Sequence, residues 1–204
     1  ICNSNELDLT STVSFFLLGS IIGTNTTNRK IKQLEPGGIL NNKNNKFNFY
    51  NFYSFYQALS KSIYNNISLE DIYSYLDFVV KKYCLSEADL SLMLSSGIDS
   101  NILYELMDDN TKTYTLSFKN ENIFPEDKFI QLKKNNIRIK YDYQSDKDQV
   151  FNQYIESMEQ PSIDGLNIFI ITKLIKQYNF KNKVCITGLG LDELLNGYSN
   201  SNKI

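Results

Sequence analysis

The chain has 204 residues, 42% of them hydrophobic, enough to bury a core in one domain with an appendage. A formal net charge of -2, with lysines and acids interspersed, gives no global field for nucleic acid and reads as a mixed solvated surface. There is no histidine, and Cys2, Cys84 and Cys185 form no CxxC pair, which excludes a histidine-containing zinc site and a Ser–His dyad and fits a reducing compartment.

From Leu7 to Leu18 apolar residues fall at rough helical spacing, predicting a short helix followed by a loop to about residue 34. The apolar stretch Phe15–Ile22 is too short to span a bilayer and is preceded by Glu6 and Asp8 instead of a basic flank. A cytoplasmic chain with no membrane or nucleic-acid partner is expected. Glu35-Pro36-Gly37-Gly38 is a turn by composition. The Asn/Lys-rich run Asn41–Asn48 predicts a flexible connector or domain boundary, and Phe47–Phe52 alternates weakly, as a strand or extended segment. Only Lys43 and Lys46 lie near those aromatics, too few cations for a base-stacking platform.

Leu69, Ile72, Tyr73, Leu76, Val80 and Tyr83 share one face at period 3.6 and mark a helix. Leu92-Met93-Leu94 is a strand that runs into Ser95-Ser96-Gly97-Ile98-Asp99-Ser100, followed by a helix with Ile102, Leu103, Leu106 and Met107 inward. Thr113–Phe118 is a β-rich run, and Pro125-Glu126-Asp127 suits the start of a helix. Ile137, Ile139, Tyr141 and Tyr143 alternate as a half-buried strand. A helix carrying Val150, Phe151, Tyr154, Ile155 and Met158 is broken at Gln160-Pro161. Another helix runs from about Leu166 to Tyr178, and Val184–Thr187 is a short buried strand in which Cys185 serves packing. Strands alternating with helices at these lengths predict an α/β fold with a doubly wound parallel sheet, and no repeats are visible. Ligands of such sheets bind beyond the carboxyl ends of the strands, where Ser95–Ser100, Leu116–Phe118 and Thr187–Glu193 fall.

Two of these stretches carry chemistry. The Ser/Gly loop at a strand-to-helix junction leaves backbone N–H groups unshielded at a helix N-terminus, an anion site whose usual guest is phosphate. Asp99 beside a phosphate is repulsive unless a divalent cation lies between them, so it implies Mg²⁺ and a polyphosphate together. Thr187-Gly188-Leu189-Gly190-Leu191-Asp192-Glu193 repeats the pattern of buried strand, glycines and acidic helix start. Alone it reads as a turn whose acids complement the helix dipole. Paired with the first stretch, it offers Asp192 as a second oxygen ligand for the same Mg²⁺.

Ser95–Ser100 resembles the SGGxDS pyrophosphate-binding loop of the ATP-pyrophosphatase families, and Thr187–Tyr198 resembles the TGEGADELFGGY signature of glutamine-dependent asparagine synthetases. Leu34–Gly38 is similar to the L-x-PG turn leading into the synthetase domain, Thr113–Phe118 to the strand that contacts adenine, and Glu159-Gln160-Pro161 with Asp164 to the acidic-Pro segment before the last core helix. The resemblance implies a sheet of the ATP-pyrophosphatase (HUP-like) type. Residues 1–48 would be a junction from the end of a glutaminase domain, and residues 49–204 a synthetase domain incomplete at its C-terminus. It implies that Leu94, Ser95, Ser96, Gly97, Asp99, Ser100, Leu116, Thr187 and Gly188 bind ATP, with Asp99 and Asp192 holding Mg²⁺. The implied reaction is adenylation of a small-molecule or peptide carboxylate, aspartate or a relative, then amide formation with ammonia from glutamine; the glutaminase lies outside this chain, and a homodimer is an open expectation.

The sequence departs from the family pattern in three places. Ser96 replaces a glycine, at a strain of about 1 kcal/mol if that position needs positive φ. Leu189 stands where the family has a glutamate linked to forming the aspartyl-adenylate, and the lysine of the later helical portion has no counterpart before Ile204, so no catalytic side chain is assignable. The alternatives are a natural-product amide ligase or peptide macrocyclase with an altered acyl substrate, or a nucleotide-binding pseudoenzyme; a fragment or divergent relative is expected.

Overall fold

A computed structural model describes residues 6–54, 57, 67–119, 135–162, 165–192 and 197. The helix start expected at Pro125–Asp127, together with Cys2, Asp164, Glu193 and Tyr198, lies outside the described residues. The chain divides into one unit of Ile1–Asn66 with Ile155–Gly165 and a second of Ile67–Tyr154 with Leu166–Ile204.

In the first unit, helix α1 (Leu9–Leu18) begins at Asp8, whose carboxylate accepts from the Ser11 N–H at 2.8 Å. The following loop returns to that start, with the Asp8 N–H on the Thr27 carbonyl at 2.7 Å. Gln160 donates to the Gln33 side chain, tying segment 155–165 to this loop. The turn at Glu35–Gly38 closes with the Gly38 N–H on the Glu35 carbonyl at 2.8 Å. The connector expected at Asn41–Asn48 is instead a β-hairpin of β1 (Gly38–Lys43) and β2 (Lys46–Asn51), antiparallel in register Lys43↔Lys46 to Gly38↔Asn51. Its turn residues Asn44 and Asn45 have φ of 53° and 59°. Asparagine tolerates this left-handed conformation, and two such residues in succession give the turn whose twist matches paired strands. Both strands are solvent-exposed along most of their length, which is why the sequence shows little alternation.

The second unit opens with α2 (Leu69–Tyr83), started by a reciprocal cap in which Ser68 Oγ accepts from the Asp71 N–H at 3.1 Å and Asp71 accepts from the Ser68 N–H at 3.0 Å. Glu70 and Asp71 in its first turn and Lys81 and Lys82 in its last complement the helix dipole. Then follow β3 (Leu90–Met93), α3 (Ile98–Leu106), β4 (Lys112–Phe118), β5 (Asn136–Tyr141), α4 (Tyr143–Ser157), α5 (Leu166–Tyr178) and β6 (Val184–Ile186). The four strands β3 to β6 form an all-parallel sheet in the order β5-β4-β3-β6.

Side-chain alternation along β3 separates the two faces of this sheet. Leu92 and Leu94 pack with Val80 of α2 and Leu106 and Met107 of and just after α3. On the opposite face Met93 and Tyr114 pack with Ile171 and Ile175 of α5. Tyr141, Val150 and Ile170 extend that layer to α4. Helices on both faces make the sheet doubly wound, as the alternation of elements predicts. Of the six α2 positions on the predicted inward face, Val80 is buried and Leu76 packs against the core, while Leu69, Tyr73 and Tyr83 are exposed. An open groove lined by Leu69, Ile72 and Tyr73 of α2 and Ile98 and Ile102 of α3 lies there.

Tyr143, expected as the last alternating residue of β5, begins α4 instead. Asp142 ends the strand: its carboxylate accepts from the Gln144 N–H at 3.2 Å and its carbonyl from Ser145 Oγ at 2.7 Å, local bonds that compete with a strand ladder. Met158 lies just past the end of α4.

The hydrogen bonds from Ser68 hold the Asp71 carboxyl below its ordinary value of 3.8. A depressed carboxylate contributes stability above that ordinary value and loses it as pH falls through the lower folded value. Backbone amide shifts of α2 followed by NMR are therefore expected to show the first turn loosening as pH drops below 3.8, and Asp71→Asn is expected to remove that pH dependence.

Candidate functional site

After β3 the chain winds through β4 to β5, then returns to add β6 on the other side of β3. The strand order reverses between β3 and β6, and crevices at such reversals, beyond the carboxyl ends of the strands, are where these sheets bind ligands. Leu90↔Val184, Ser91↔Cys185 and Leu92↔Ile186 set the register. Both acid-bearing loops leave the sheet side by side.

The first loop is braced from within. Leu94 is fixed at the strand end by its N–H on the Tyr114 carbonyl at 2.9 Å and by Thr115 Oγ1, which donates to its carbonyl at 2.9 Å. Ser100, 4% exposed, reaches back from α3. Its hydroxyl accepts from the Ser95 N–H at 3.1 Å and contacts the Ser95 and Gly97 carbonyls at 3.1 Å each. Asn101 Nδ2 donates to the same two carbonyls at 3.1 and 2.8 Å. Gly97 is the N-cap of α3 and supplies no side-chain cap. The first-turn N–H groups of an α-helix have no partner within the helix itself.

The second loop seats directly on that helix start. A Cβ on Gly188 would fall 3.0 Å from Asp99 Cβ and 3.1 Å from the Ser100 nitrogen, so a side chain there would force the two loops apart by a few tenths of an ångström. Further on, Asp192 Oδ1 lies where a Cβ on Gly197 would come, and the Gly197 N–H bonds the Asp192 carbonyl at 3.0 Å.

A cavity of about 390 Å³ opens between the two loops and α5. Leu94, Ser95, Gly97, Asp99, Ser100, Leu116, Thr187, Gly188 and Asp192, all expected from the sequence, line it. Ser96 does not: it lines the groove between α2 and α3. The strain considered for Ser96 is also absent, since among the described residues outside glycine only Asn44 and Asn45 have positive φ. Met93, Phe118, Asn167, Ile168, Ile171, Leu189 and Gly190 complete the lining. Phe118 follows from Leu116 by the two-residue period of a strand. Asn167, Ile168 and Ile171 carry no such signal, because helical periodicity alone does not say which end of an inward face meets a ligand. Behind β6, Ser91 Oγ bonds Cys185 Sγ at 3.3 Å, and burial pushes that thiol above its ordinary range, as befits a packing residue.

The donor set suits a polyphosphate carrying Mg²⁺: a helix start without a side-chain cap, small residues, and two carboxylates from adjacent loops of the kind a hard oxygen-seeking cation takes. A doubly wound parallel sheet with such a loop pair at its reversal point defines an α/β nucleotide-binding fold of the ATP-pyrophosphatase, HUP-like type. The sequence model of the family described as asparagine synthase matches residues 71–203. The chain belongs to that family, one of ATP-dependent ligases. Neither a curated protein nor a solved structure matches it.

Because the atoms facing Gly188 belong to the backbone and Cβ of a helix start, they cannot swing aside. Gly188→Ala is expected to destabilise the protein by about 1–3 kcal/mol, the usual range for overpacking, measured by chemical denaturation.

Proposed function

We propose that this chain binds Mg·ATP between its two acid-bearing loops and activates a carboxylic acid for amide formation. What supports the reading most is that Asp99 and Asp192, from loops following neighbouring strands, line one cavity beside an uncapped helix N-terminus. Residues 1–48 are read as a junction segment, and the amine as ammonia released from glutamine by a glutaminase outside this chain.

On this reading the α3 amides and Ser95 hold the phosphates, Leu116 lies against the base, and Thr187 and Gly188 cover the nucleotide from the other loop. Asp99 and Asp192 would hold Mg²⁺, which when bound offsets the charge of the polyphosphate. A carboxylate oxygen of the acid attacks the α-phosphorus and the α–β phosphoanhydride bond breaks, giving an acyl-adenylate and pyrophosphate. The amine nitrogen then attacks the acyl carbon, AMP leaves, and an amide remains. The proposed work of the chain is orientation and electrostatic stabilisation in a shaped cavity, and no side chain is assigned to move a proton.

Asp99→Asn is expected to weaken Mg·ATP binding at least about ten-fold, the scale of losing one charged ligand, with the unfolding midpoint little changed. Calorimetric titration reads the first and thermal melting the second. Equal affinity in wild type and variant would refute the metal assignment. ATP–pyrophosphate exchange tests the chemistry: Mg·ATP binding without exchange for any carboxylic acid would make the chain a nucleotide-binding protein without ligase activity.

A further inference from the structure

β3 ends at Met93, and the next peptide unit, between Leu94 and Ser95, begins the first cavity loop. That unit is held at both ends by hydroxyls. Thr115 Oγ1 of β4 donates to the Leu94 carbonyl at 2.9 Å, and Ser100 Oγ of α3 accepts from the Ser95 N–H at 3.1 Å. A planar unit gripped at its carbonyl and at its N–H keeps one orientation, and that orientation sets how the loop leaves the sheet.

The direction of the Thr115 bond is decided on a third element. A threonine hydroxyl carries one proton, so Thr115 gives it to Leu94 only while its other neighbour does not claim it. That neighbour is Asn136 of β5, whose Nδ2 donates to Thr115 Oγ1 and to Thr113 Oγ1 at 2.9 Å each. Facing a donor on one side, the Thr115 hydroxyl turns its proton to the carbonyl on the other. Thr115, 2% exposed, lies on the face of β4 away from Leu116, behind the cavity wall.

We infer that Thr115, its hydroxyl turned by Asn136, is a positioning residue for the nucleotide and acts through the Leu94–Ser95 peptide. The inference rests on the Mg·ATP reading of the cavity, and no covalent step is added to those above. Thr113 supplies the control: it is fully buried and bonds the same amide, but its hydroxyl is one strand step further from the loop.

The test titrates Mg·ATP into the full chain and its variants by calorimetry, with chemical denaturation alongside. Thr115→Val is expected to weaken binding about three- to ten-fold, the scale of one buried hydrogen bond, and Thr115→Ser to keep wild-type affinity. Thr113→Val is expected to lower stability comparably while leaving affinity within about two-fold. Asn136→Leu is expected to weaken binding about three-fold, with no further loss once Thr115→Val is present. If Thr115→Val does not fold, Asn136→Leu against Thr113→Val carries the same comparison. Equal losses in the two valine variants would reduce the row to a structural role and overturn the inference, as would wild-type affinity in Thr115→Val. Wild-type protein that binds no Mg·ATP would instead refute the nucleotide reading. Hydrogen exchange of the Ser95 amide, followed without ligand, separates the two failures: it is expected to speed up in Thr115→Val, and unchanged protection there would refute the positioning role by itself.

Discussion

The site depends on one close approach, the seating of Gly188 against the first turn of α3. A side chain there would hold the loops apart at the point where Asp99 and Ser100 begin the helix. With glycine, the second loop rests on the first, and a cavity lined by both acids lies beside the contact. The approach follows from topology, since β3 and β6 are hydrogen-bonded neighbours and their loops emerge a strand spacing apart.

Around that contact the sheet divides its work by face. Tyr114, fully buried, packs against α5 and meets the Tyr178 ring edge-on, with Leu116 and Phe118 in register further along β4 toward the cavity. The other face of β4 carries Thr113, Thr115 and Ser117, all buried. Asn136 Nδ2 donates to both threonine hydroxyls at 2.9 Å, and Thr115 in turn holds the Leu94 carbonyl. A polar row thus passes from β5 through β4 to the start of the first loop. Burying the two threonine hydroxyls is tolerable because both accept from Asn136 and that of Thr115 donates to a carbonyl, and this last bond fixes where the loop begins.

Much of this was legible in the sequence because period and punctuation are local. The strand at Leu92, the helix faces at Leu106 and Ile171, and the loops at Ser95 and Thr187 all announce themselves within a few residues. What escaped depends on other information. The run Asn41–Asn48 looks like a linker by composition, but its fold is decided by two asparagines in left-handed conformation at the turn. Tyr143 continues an alternation that Asp142 ends through its own side chain. The six apolar positions on α2 predict a buried stripe, while only the half near Val80 meets the sheet layer. Ser96, like Ile98, lines another groove while the rest of its loop lines the cavity, and Asn167 enters the lining through the placement of a distant helix. Spacing within a motif cannot carry either fact.

The pairing of β6 with β3 spans 93 residues from Ser91 to Val184. Such a contact closes a long loop and is among the last that a folding chain can afford entropically. Until β6 docks, the α3 start lacks its second wall, so the cavity between the loops is a property of the finished sheet and of no smaller piece. A ligand held there by both loops binds the docked arrangement and stabilises it by mass action, so occupancy of the cavity is thermodynamically linked to the pairing of its last strand.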